Sequence, residues 1–334
     1  MLSRAFTKPR RSPRDGETSL RSTSILHEYE DFIFGFMEDI PVISFHESEN
    51  NHNKTHNKNC DCTSESQMTL RLVLRASVGV MGESRRGITE KVVLLGGNIC
   101  ALKRFRKVSV RKSEFGRRIE KLAQAGNQCE FLVPINAYLF AKRIKFVLCD
   151  YYPMGSLADL LYGAREEGQT ALDWKQRHKI IQSIAKAILF IHSLHPPKDK
   201  HLQMSVHGNI KASNIMINID FTAHLSDYGF AQLAEPMEVN DTGQVLPYTP
   251  PECHRYDETL SQKSDMYNFG VVLMDILGWP KAQGPQKKDL FEFSLDIKEQ
   301  RHAMKVLEIA LDCTNIVPGE RPPIEKIIYR LGTI

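Results

Sequence analysis

The sequence lacks any apolar run of about eighteen or more residues, the length that a membrane-spanning helix needs. It also lacks the charged start and apolar stretch of a secretory signal peptide. Cysteine is scarce and odd in number, with 7 residues scattered among 334. Such a set does not make a disulfide framework, so we expect reduced thiols and a cytoplasmic setting.

A large excess of one charge is missing too, because 44 Lys and Arg stand against 40 Asp and Glu. The net charge of +4 is too small to predict nucleic-acid binding, and we expect none. Residues 1–22 hold six basic and two acidic side chains, which equals the whole excess. This Ser- and Thr-rich arm is either a solvated tail or a segment that touches an anionic membrane surface.

From residue 28 to residue 49 the sign of the charge reverses, with seven acidic residues among many apolar ones. Such a segment docks as a short helix or strand, either on the folded domain or on a partner, and the sequence favours neither. Residues 50–59 are low in complexity and predict a linker. The His and Cys residues between 52 and 62 match no zinc-finger spacing, which argues against a metal site.

The most informative stretch of the chain is Ser-Val-His-Gly-Asn-Ile-Lys-Ala-Ser-Asn, which ends at Asn214. Protein kinases have the catalytic loop H-R-D-x-x-x-x-N, in which the Asp accepts the substrate hydroxyl's proton and the Asn holds magnesium. His207, Lys211 and Asn214 match positions of that loop. Gly208 and Asn209 replace its Arg and Asp. Because an amide takes up no proton near neutral pH, the sequence predicts that the general base is lost at Asn209.

A second motif follows thirteen residues after Asn214, where Asp-Tyr-Gly begins at Asp227. It resembles the metal-binding D-F-G motif of kinases, with Tyr in place of Phe. The resemblance implies that Asn214 and Asp227 hold magnesium and that Asp227 bridges it to the nucleotide phosphates. It also implies that Lys211 is the remaining catalytic side chain beside the lost base.

Upstream of the loop, apolar runs alternate with glycine-containing breaks, as in strands joined by tight turns. Gly82 and Gly87 fall where kinases have G-x-G-x-x-G, a loop whose glycines let backbone N–H groups close over phosphates. Ser84 replaces the middle glycine, and the two arginines before Gly87 either attract phosphate or are solvated turn residues. By the same resemblance, Ala101 belongs to the nucleotide site and Met216 lies beneath the adenine.

The tetrapeptide Cys-Ala-Leu-Lys, which ends at Lys103, resembles the kinase strand V-A-I-K. The Lys of that strand pairs with the nucleotide phosphates and with a Glu on a helix. An apolar pattern with helical spacing predicts the helix over residues 112–125. Glu120 lies on it, seventeen residues after Lys103, so the resemblance implies a Lys103–Glu120 ion pair.

Later motifs imply two structural contacts in the second half of the chain. Glu252 ends Thr-Pro-Pro-Glu, which stands in for the kinase A-P-E, and Arg321 in Gly-Glu-Arg-Pro is its expected partner in a buried ion pair. Asp265 is expected to accept hydrogen bonds from the catalytic-loop backbone, where His207 is the other structural residue.

The segment between the Asp-Tyr-Gly triplet and Glu252 contains three hydroxyl residues, Thr242, Tyr248 and Thr249. They are candidate phosphosites or, as usual in loops, only solvated side chains. Because Gly208 stands where kinases have Arg, a phosphate on this segment lacks its usual partner, and switching by phosphorylation is not expected.

In their order, these motifs resemble the plant receptor-like protein kinases, specifically the leucine-rich-repeat receptor kinase group. The form H-G-N-I-K-x-S-N-I occurs in members that are often predicted to be inactive. The resemblance implies an α+β fold with a small β-rich N-lobe over residues 70–150 and a larger helical C-lobe over residues 151–332. Residues 1–69 are then a disordered or loosely docked region.

Three hypotheses follow for the function. The leading one is a catalytically impaired pseudokinase that acts in signalling as a scaffold or allosteric partner of other signalling proteins or kinases, with or without bound ATP. The second is a slow, atypical serine/threonine kinase that uses ATP and magnesium, because phosphoryl transfer depends mostly on positioning and charge. The third is an interaction module with an empty nucleotide site.

The resemblance also bears on location, because such kinases usually lie on the cytosolic side of the plasma membrane. We therefore expect a cytoplasmic protein or one at the inner face of the plasma membrane, where residues 1–22 would touch the lipid. The chain is either a cytoplasmic relative or an incomplete gene product, and the sequence favours neither.

Overall fold

The computed structural model describes residues 40–45, 68–84, 86–163, 172–194, 203–234, 248–254, 260–278 and 295–334. They form two lobes, one built on an antiparallel sheet and one built mainly of helices. The predicted α+β bilobal architecture is therefore confirmed. The basic arm, the predicted linker and the His and Cys set before residue 63 lie outside the described residues.

The first lobe is a six-stranded antiparallel sheet with the order β1-β5-β6-β4-β3-β2. Its strands are β1 (Ile43–Ser44), β2 (Ser77–Glu83), β3 (Gly87–Val93), β4 (Ile99–Phe105), β5 (Ile135–Phe140) and β6 (Lys145–Asp150). Alternate residues of the central strands point to one face, where Val92, Leu102 and Phe146 are fully buried. This face makes the small core that fixes the sheet above the cleft.

The end of the acidic-apolar segment joins this sheet as strand β1. Ile43 pairs with Tyr138 of β5, and the N–H of Phe45 donates to the carbonyl of Asn136 at 2.9 Å. Val42 is buried in the small core. Residues 40–45 therefore dock as a strand on the folded domain. They lie before residue 70, where the domain was predicted to begin.

Six α-helices lie in the described residues: α1 (Leu70–Arg75), α2 (Lys112–Asn127), α3 (Trp174–Ser193), α4 (Gln262–Leu277), α5 (Ile297–Cys313) and α6 (Ile324–Leu331). Capping boxes start α3, α4 and α5, where the side chains of Asp173, Ser261 and Asp296 accept backbone N–H groups of the first turn. Within the described part of the chain, every helix is too short or too polar to cross a bilayer.

The helical lobe is organised around α3, whose apolar residues recur every three or four positions. Ile180, Ile184 and Ile188 are all buried, as the periodicity predicts. Arg177 on the same helix is buried too, and it donates to the carbonyl of Leu172 at 2.8 Å and to the carbonyl of Ile276 on α4. This arginine therefore satisfies one loop carbonyl and one carbonyl at the end of α4 inside the lobe.

A two-stranded sheet of β7 (Ile215–Ile217) and β8 (Ala223–Leu225) lies where the lobes meet. It contacts the first lobe through Val133, whose N–H donates to the carbonyl of Leu225 at 2.9 Å. The catalytic loop ends at the start of β7, and Asp227 follows β8 by two residues. The hairpin thus brings both motifs to the mouth of one cleft.

The stretch from Asp227 to Glu252 corresponds to the activation segment of kinases. An ion pair between Glu252 and Arg321 ties the end of this segment to the helical lobe. The guanidinium of Arg321 donates to both carboxylate oxygens, at 2.6 Å and 2.7 Å. It also donates to the carbonyls of Asn315 and Lys263, and its side chain is fully buried. The predicted ion pair between Glu252 and Arg321 is therefore present.

Replacing Arg321 with Met should lower the free energy of unfolding by about 3–5 kcal/mol, because Glu252 loses both guanidinium hydrogen bonds in a buried setting. Arg330→Met is the matched control, since Arg330 pairs with Asp312 at 2.6 Å on the surface. Its loss should cost about 1 kcal/mol or less. Urea unfolding of both variants measures the difference, and equal losses would contradict the structural role of the buried pair.

Candidate functional site

The catalytic loop is held by the buried carboxylate of Asp265 in the first turn of α4. Its oxygens accept the backbone N–H groups of His207 at 2.7 Å and of Gly208 at 2.9 Å. The His192 ring nitrogen lies 3.1 Å from the same carboxylate. Asp265 and His207 are both fully buried. The anchoring that the sequence predicted for Asp265 is present.

Gly208 has a left-handed backbone conformation, with a φ of 75°. A Cβ atom at this position would lie 2.7 Å from a side-chain carbon of Leu260. A larger residue, such as the Arg of other kinases' loops, would meet both an unfavourable backbone conformation and a close neighbour. The local shape of this loop therefore favours glycine, chiefly through its left-handed backbone.

Asn209 takes part in the loop through its backbone. Its N–H donates to Nδ1 of His207 at 3.2 Å, and its carbonyl accepts Nδ2 of Asn214 at 2.9 Å. Its side-chain amide makes no hydrogen bond with any residue in the described part of the chain, and the residue is half-buried. The loop is thus ordered by contacts that need no carboxylate at position 209.

Four carboxylates of the described residues belong to this loop or to the contacts around it, and each has a partner. Asp265 accepts the loop backbone, Asp275 accepts the hydroxyl of Tyr248, and Glu252 pairs with Arg321. Asp227 pairs with Lys103. Because each of these four carboxylates already has a partner, none is free to replace the missing base.

Tyr248, one of the candidate phosphosites, is a structural residue. Its hydroxyl donates to Asp275 and accepts the N–H of Ala212 at 3.4 Å. Burial, and then the neighbouring Asp275 carboxylate, raise the pKa of the Tyr248 hydroxyl. A phosphate on Tyr248 would break these contacts, and Thr242 lies outside the described residues.

An ion pair between Lys103 of β4 and Asp227 connects the two lobes. The Lys103 ammonium donates to Oδ2 of Asp227 at 2.7 Å, and the side chains are only 15% and 11% exposed. Asp227 has a left-handed backbone, with a φ of 62°, which is uncommon for a residue other than glycine. Its carboxylate is therefore presented to the sheet lobe by the turn that follows β8.

The predicted Lys103–Glu120 ion pair is wrong. Glu120 is exposed on α2, and its carboxylate accepts the hydroxyl of Tyr138 at 3.3 Å. Burial, together with this carboxylate, raises the pKa of Tyr138 to about 12. Lys103 finds its partner in Asp227 instead.

The error lies in the rotation of α2. Leu122 is buried against Gly229, where an added Cβ would come within 2.6 Å of its side chain. One turn earlier on the same face stands Arg118, which is buried and donates to the carbonyl of Gln232 at 3.0 Å. Glu120 is two residues further on, about 200° around the helix. The inward-facing position of α2 therefore carries an arginine. The pattern of buried residues along the helix identifies this position, whereas the spacing from Lys103 does not.

The glycine-rich loop is a tight hairpin between β2 and β3. The N–H of Ser84 donates to the carbonyl of Gly87 at 2.8 Å, and the return bond measures 3.3 Å. A Cβ on Gly87 would lie 2.1 Å from the carbonyl oxygen of Arg104, so glycine is needed there. A Cβ on Gly82 would meet nothing within 4 Å, so no such need exists at Gly82.

Arg106, just after β4, holds this hairpin in place. Its N–H donates to the carbonyl of Arg86 at 3.0 Å, and its Nε donates to the carbonyl of Ser84 at 3.2 Å. Its guanidinium also pairs with Glu83. The hairpin tip is thus fixed to the sheet by backbone and side-chain contacts together.

Arg86 lies at this tip and is half-buried. Burial lowers the pKa of its guanidinium, and the attraction of Asp227 opposes that effect. Burial likewise lowers the pKa of Lys211, with Asp227 opposing and with Lys103 and Arg86 adding to it. Among these cations, Lys103 binds the Asp227 carboxylate directly. Arg85 lies outside the described residues.

The residues predicted for the adenine end lie on strands around the cleft. Ala101 pairs with Cys149 across β4 and β6, and Met216 bridges to Ser156; Ala101, Cys149 and Met216 are half-buried. Behind Cys149 is a cavity of about 30 Å³, partly lined by Tyr228. The hydroxyl of Tyr228 donates to the carbonyl of Met204, which satisfies the polar group that Tyr adds over Phe.

The residues expected to hold magnesium are Asn214 and Asp227. The Asn214 side-chain nitrogen donates to the Asn209 carbonyl, which leaves the amide oxygen as a possible metal ligand, and the Asp227 carboxylate is bound by Lys103. The described residues contain no group of three or more His, Cys, Asp or Glu side chains that could hold a metal. A magnesium ion between these two residues would therefore have to compete with Lys103 for the Asp227 carboxylate.

A family model described as protein tyrosine and serine/threonine kinase matches residues 77–331. This chain belongs to that kinase family. Lys103, Asn209 and Asp227 all lie within the matched residues.

Curated relatives of this kinase include plant proteins described as inactive. Two probable inactive receptor kinases of Arabidopsis thaliana are 30% identical over 285 residues and 37% identical over 284 residues. The matches span 78% of this chain but only 42% and 43% of those proteins. The predicted resemblance to plant receptor-like kinases and their inactive members is confirmed, and the chain spans less than half the length of these relatives.

Solved structures agree on the fold. The pseudokinase domain of BIR2, titled an immune regulator of the RLK/Pelle family, superposes with a TM-score of 0.68 at 23% identity, over 90% of this chain and 92% of that one. The kinase domain of maize SIRK1 (sucrose-induced receptor kinase 1), bound to AMP-PNP, gives a TM-score of 0.64 at 24% identity, over 81% and 97%. At these identities the likeness shows the kinase fold alone.

Arg118 also pairs with Glu114 at 2.5 Å. Arg118→Ala should lower the free energy of unfolding by about 1–3 kcal/mol and loosen the segment after Asp227, because the half-buried Gln232 carbonyl loses its donor. Arg117→Ala is the matched control, since Arg117 pairs with the same Glu114 but is 59% exposed. Hydrogen exchange of residues 230–234 should accelerate in the first variant only. Equal exchange in both would contradict the placement of Arg118.

Proposed function

We propose that this kinase-family chain is a catalytically impaired pseudokinase that acts in signalling as a scaffold or allosteric partner of other signalling proteins or kinases. The observation that carries the proposal is Asn209 at the position of the general base, in a loop whose neighbouring carboxylates are engaged. An amide cannot accept the proton of a substrate hydroxyl near neutral pH.

The intact frame around the altered loop supports a role that depends on shape. The buried contacts of Asp265 and of Arg321 hold the catalytic loop and Glu252, the residue that ends the activation segment. Losing one partner of a buried contact lowers stability, so the retained contacts favour a function that needs the folded domain. We propose that this function depends on the surface of the domain and not on phosphate transfer.

The relatives supply further support, because several of them are described as probable inactive receptor kinases. The structural neighbour BIR2 is titled an immune regulator, which is a property of that protein. For this chain we propose signalling partners of the same broad class, a cytoplasmic setting and, for residues 1–22, contact with the inner face of the plasma membrane.

A slow kinase is the second candidate, and the Lys103–Asp227 pair favours it. These two side chains remain together in the cleft, and positioning and charge supply most of the catalysis in phosphoryl transfer. Loss of a general base lowers the rate by roughly 10²–10⁴-fold, which is a large but finite effect.

Transfer of labelled phosphate from ATP to a generic protein substrate decides between the two candidates. The wild-type chain should show no transfer above that of Lys103→Ala, which removes the ammonium of the nucleotide site. Asn209→Asp should gain measurable activity, because it restores a proton acceptor. Turnover of the wild type well above the Lys103→Ala background would overturn the pseudokinase proposal.

A further inference from the structure

Helix α5 carries three large apolar side chains on the side that faces solvent. Ile297, Met304 and Leu311 are 74%, 38% and 52% exposed, and they lie outside both hydrophobic cores of the described residues. They follow one another every seven residues, which is about two helical turns, so they form a line along the helix, the α5 stripe. Single exposed apolar residues are ordinary, whereas an aligned set of them is typical of an interaction surface.

The packing of α5 onto the helical lobe uses the other side of the helix. Val306 and Cys313 are fully buried, and each comes two residues after a member of the α5 stripe, about 200° around the helix. A Cβ on Gly270 of α4 would lie 2.7 Å from the Cβ of Cys313, so the two helices are already in close contact there. The fold therefore does not need the α5 stripe.

The exposed charges of α5 change sign along the helix. The first half exposes the basic residues Lys298, Arg301 and Lys305. The second half exposes the acidic residues Glu308 and Asp312. A second α5 helix placed parallel would bring like charges together, whereas an antiparallel one would bring opposite charges together. Charges that flank an apolar seam set the orientation of paired helices in this way.

Arg301 and Glu308 are the charges nearest to the α5 stripe, because each comes four residues after one of its members. Within the described part of the chain, neither has an ion-pair partner. Asp312, by contrast, already pairs with Arg330 at 2.6 Å. A second copy of the chain would therefore meet Arg301 and Glu308 as unpaired charges.

A two-fold axis through Met304 satisfies the apolar and the charged pattern together. It sets Ile297 of one copy against Leu311 of the other, and Met304 against its own equivalent. It also brings Arg301 of one copy close to Glu308 of the other, twice in the pair. An interface of this symmetry uses the same patch on both copies, so a self-complementary patch can bind itself.

We propose that the α5 stripe is a self-association surface on which α5 of a second copy of this chain packs antiparallel. The helix has 17 residues and is about 25 Å long. Stable interfaces bury about 1,200–2,000 Å², and one pair of helices of this length lies at or below the low end of that range. The dimer should therefore be weak and reversible. The inference goes beyond the proposed function and stands without it, because it involves neither the cleft nor the catalytic loop.

Sedimentation velocity of the full-length chain over a range of micromolar concentrations tests the proposal. The wild type should shift from monomer toward dimer as its concentration rises. Leu311→Asp should raise the dimer dissociation constant by about tenfold or more, because it places an unpaired charge in the seam twice. Leu95→Asp is the matched control, since Leu95 is 78% exposed in the turn between β3 and β4, and it should leave the constant unchanged. Thermal unfolding shows whether each variant is folded, and Met304→Lys serves if Leu311→Asp is not.

Exchange of the two charges tests the antiparallel geometry. Arg301→Glu and Glu308→Arg should each weaken self-association, because like charges then face each other across the seam. An equimolar mixture of these two variants should associate. The double variant Arg301→Glu/Glu308→Arg should again associate with itself, since opposite charges face each other once more.

A chain that stays monomeric at every concentration would overturn the inference, as would a dimer that Leu311→Asp leaves unchanged. Charge variants that lose association without recovery in the double variant would reject the antiparallel pairing and with it the proposal. A monomer whose unfolding temperature falls with Leu311→Asp would show that the chain itself covers the α5 stripe, which also overturns it. All of these results are obtained without ATP, so they are distinct from a failure of the pseudokinase proposal.

Discussion

The ion pair between Lys103 and Asp227 joins the sheet lobe to the helical lobe and sets the electrostatics of the cleft. Both side chains are largely buried, so the pair attracts strongly, and opening it would leave two desolvated charges apart. The left-handed backbone at Asp227 presents the carboxylate to β4, and the β7–β8 hairpin fixes where that turn lies. Other charges in the cleft are then arranged around a carboxylate that is already neutralised.

The catalytic loop keeps its shape without the carboxylate that kinases have at the position of Asn209. Its shape comes from Asp265 and from backbone contacts with His207 and Asn214, none of which involves the side chain at position 209. An amide at position 209 therefore leaves these contacts unchanged. At position 208, the left-handed backbone and the proximity of Leu260 suit a glycine better than a long side chain. Loss of the base and loss of the arginine are thus compatible with a well-ordered loop.

The sequence predicted the two lobes, the Asp265 anchor and the Glu252–Arg321 pair, because each depends on motifs whose position along the chain determines their position in the fold. It failed at Glu120, since spacing from Lys103 says nothing about the rotation of α2; burial of Leu122 and Arg118 decides that.

Arg118 puts a cation on the inward face of α2. An acidic partner on the helix would hold Lys103 away from Asp227 and leave that carboxylate for a metal; without one, Lys103 binds Asp227. The rotation of α2 and the arginine on its inward face therefore explain why the Asp227 carboxylate is neutralised by Lys103. Restoring a base at position 209 alone would leave this charge distribution unchanged, so activity regained by that route should remain far below that of a kinase whose cleft is built for a metal-bound nucleotide.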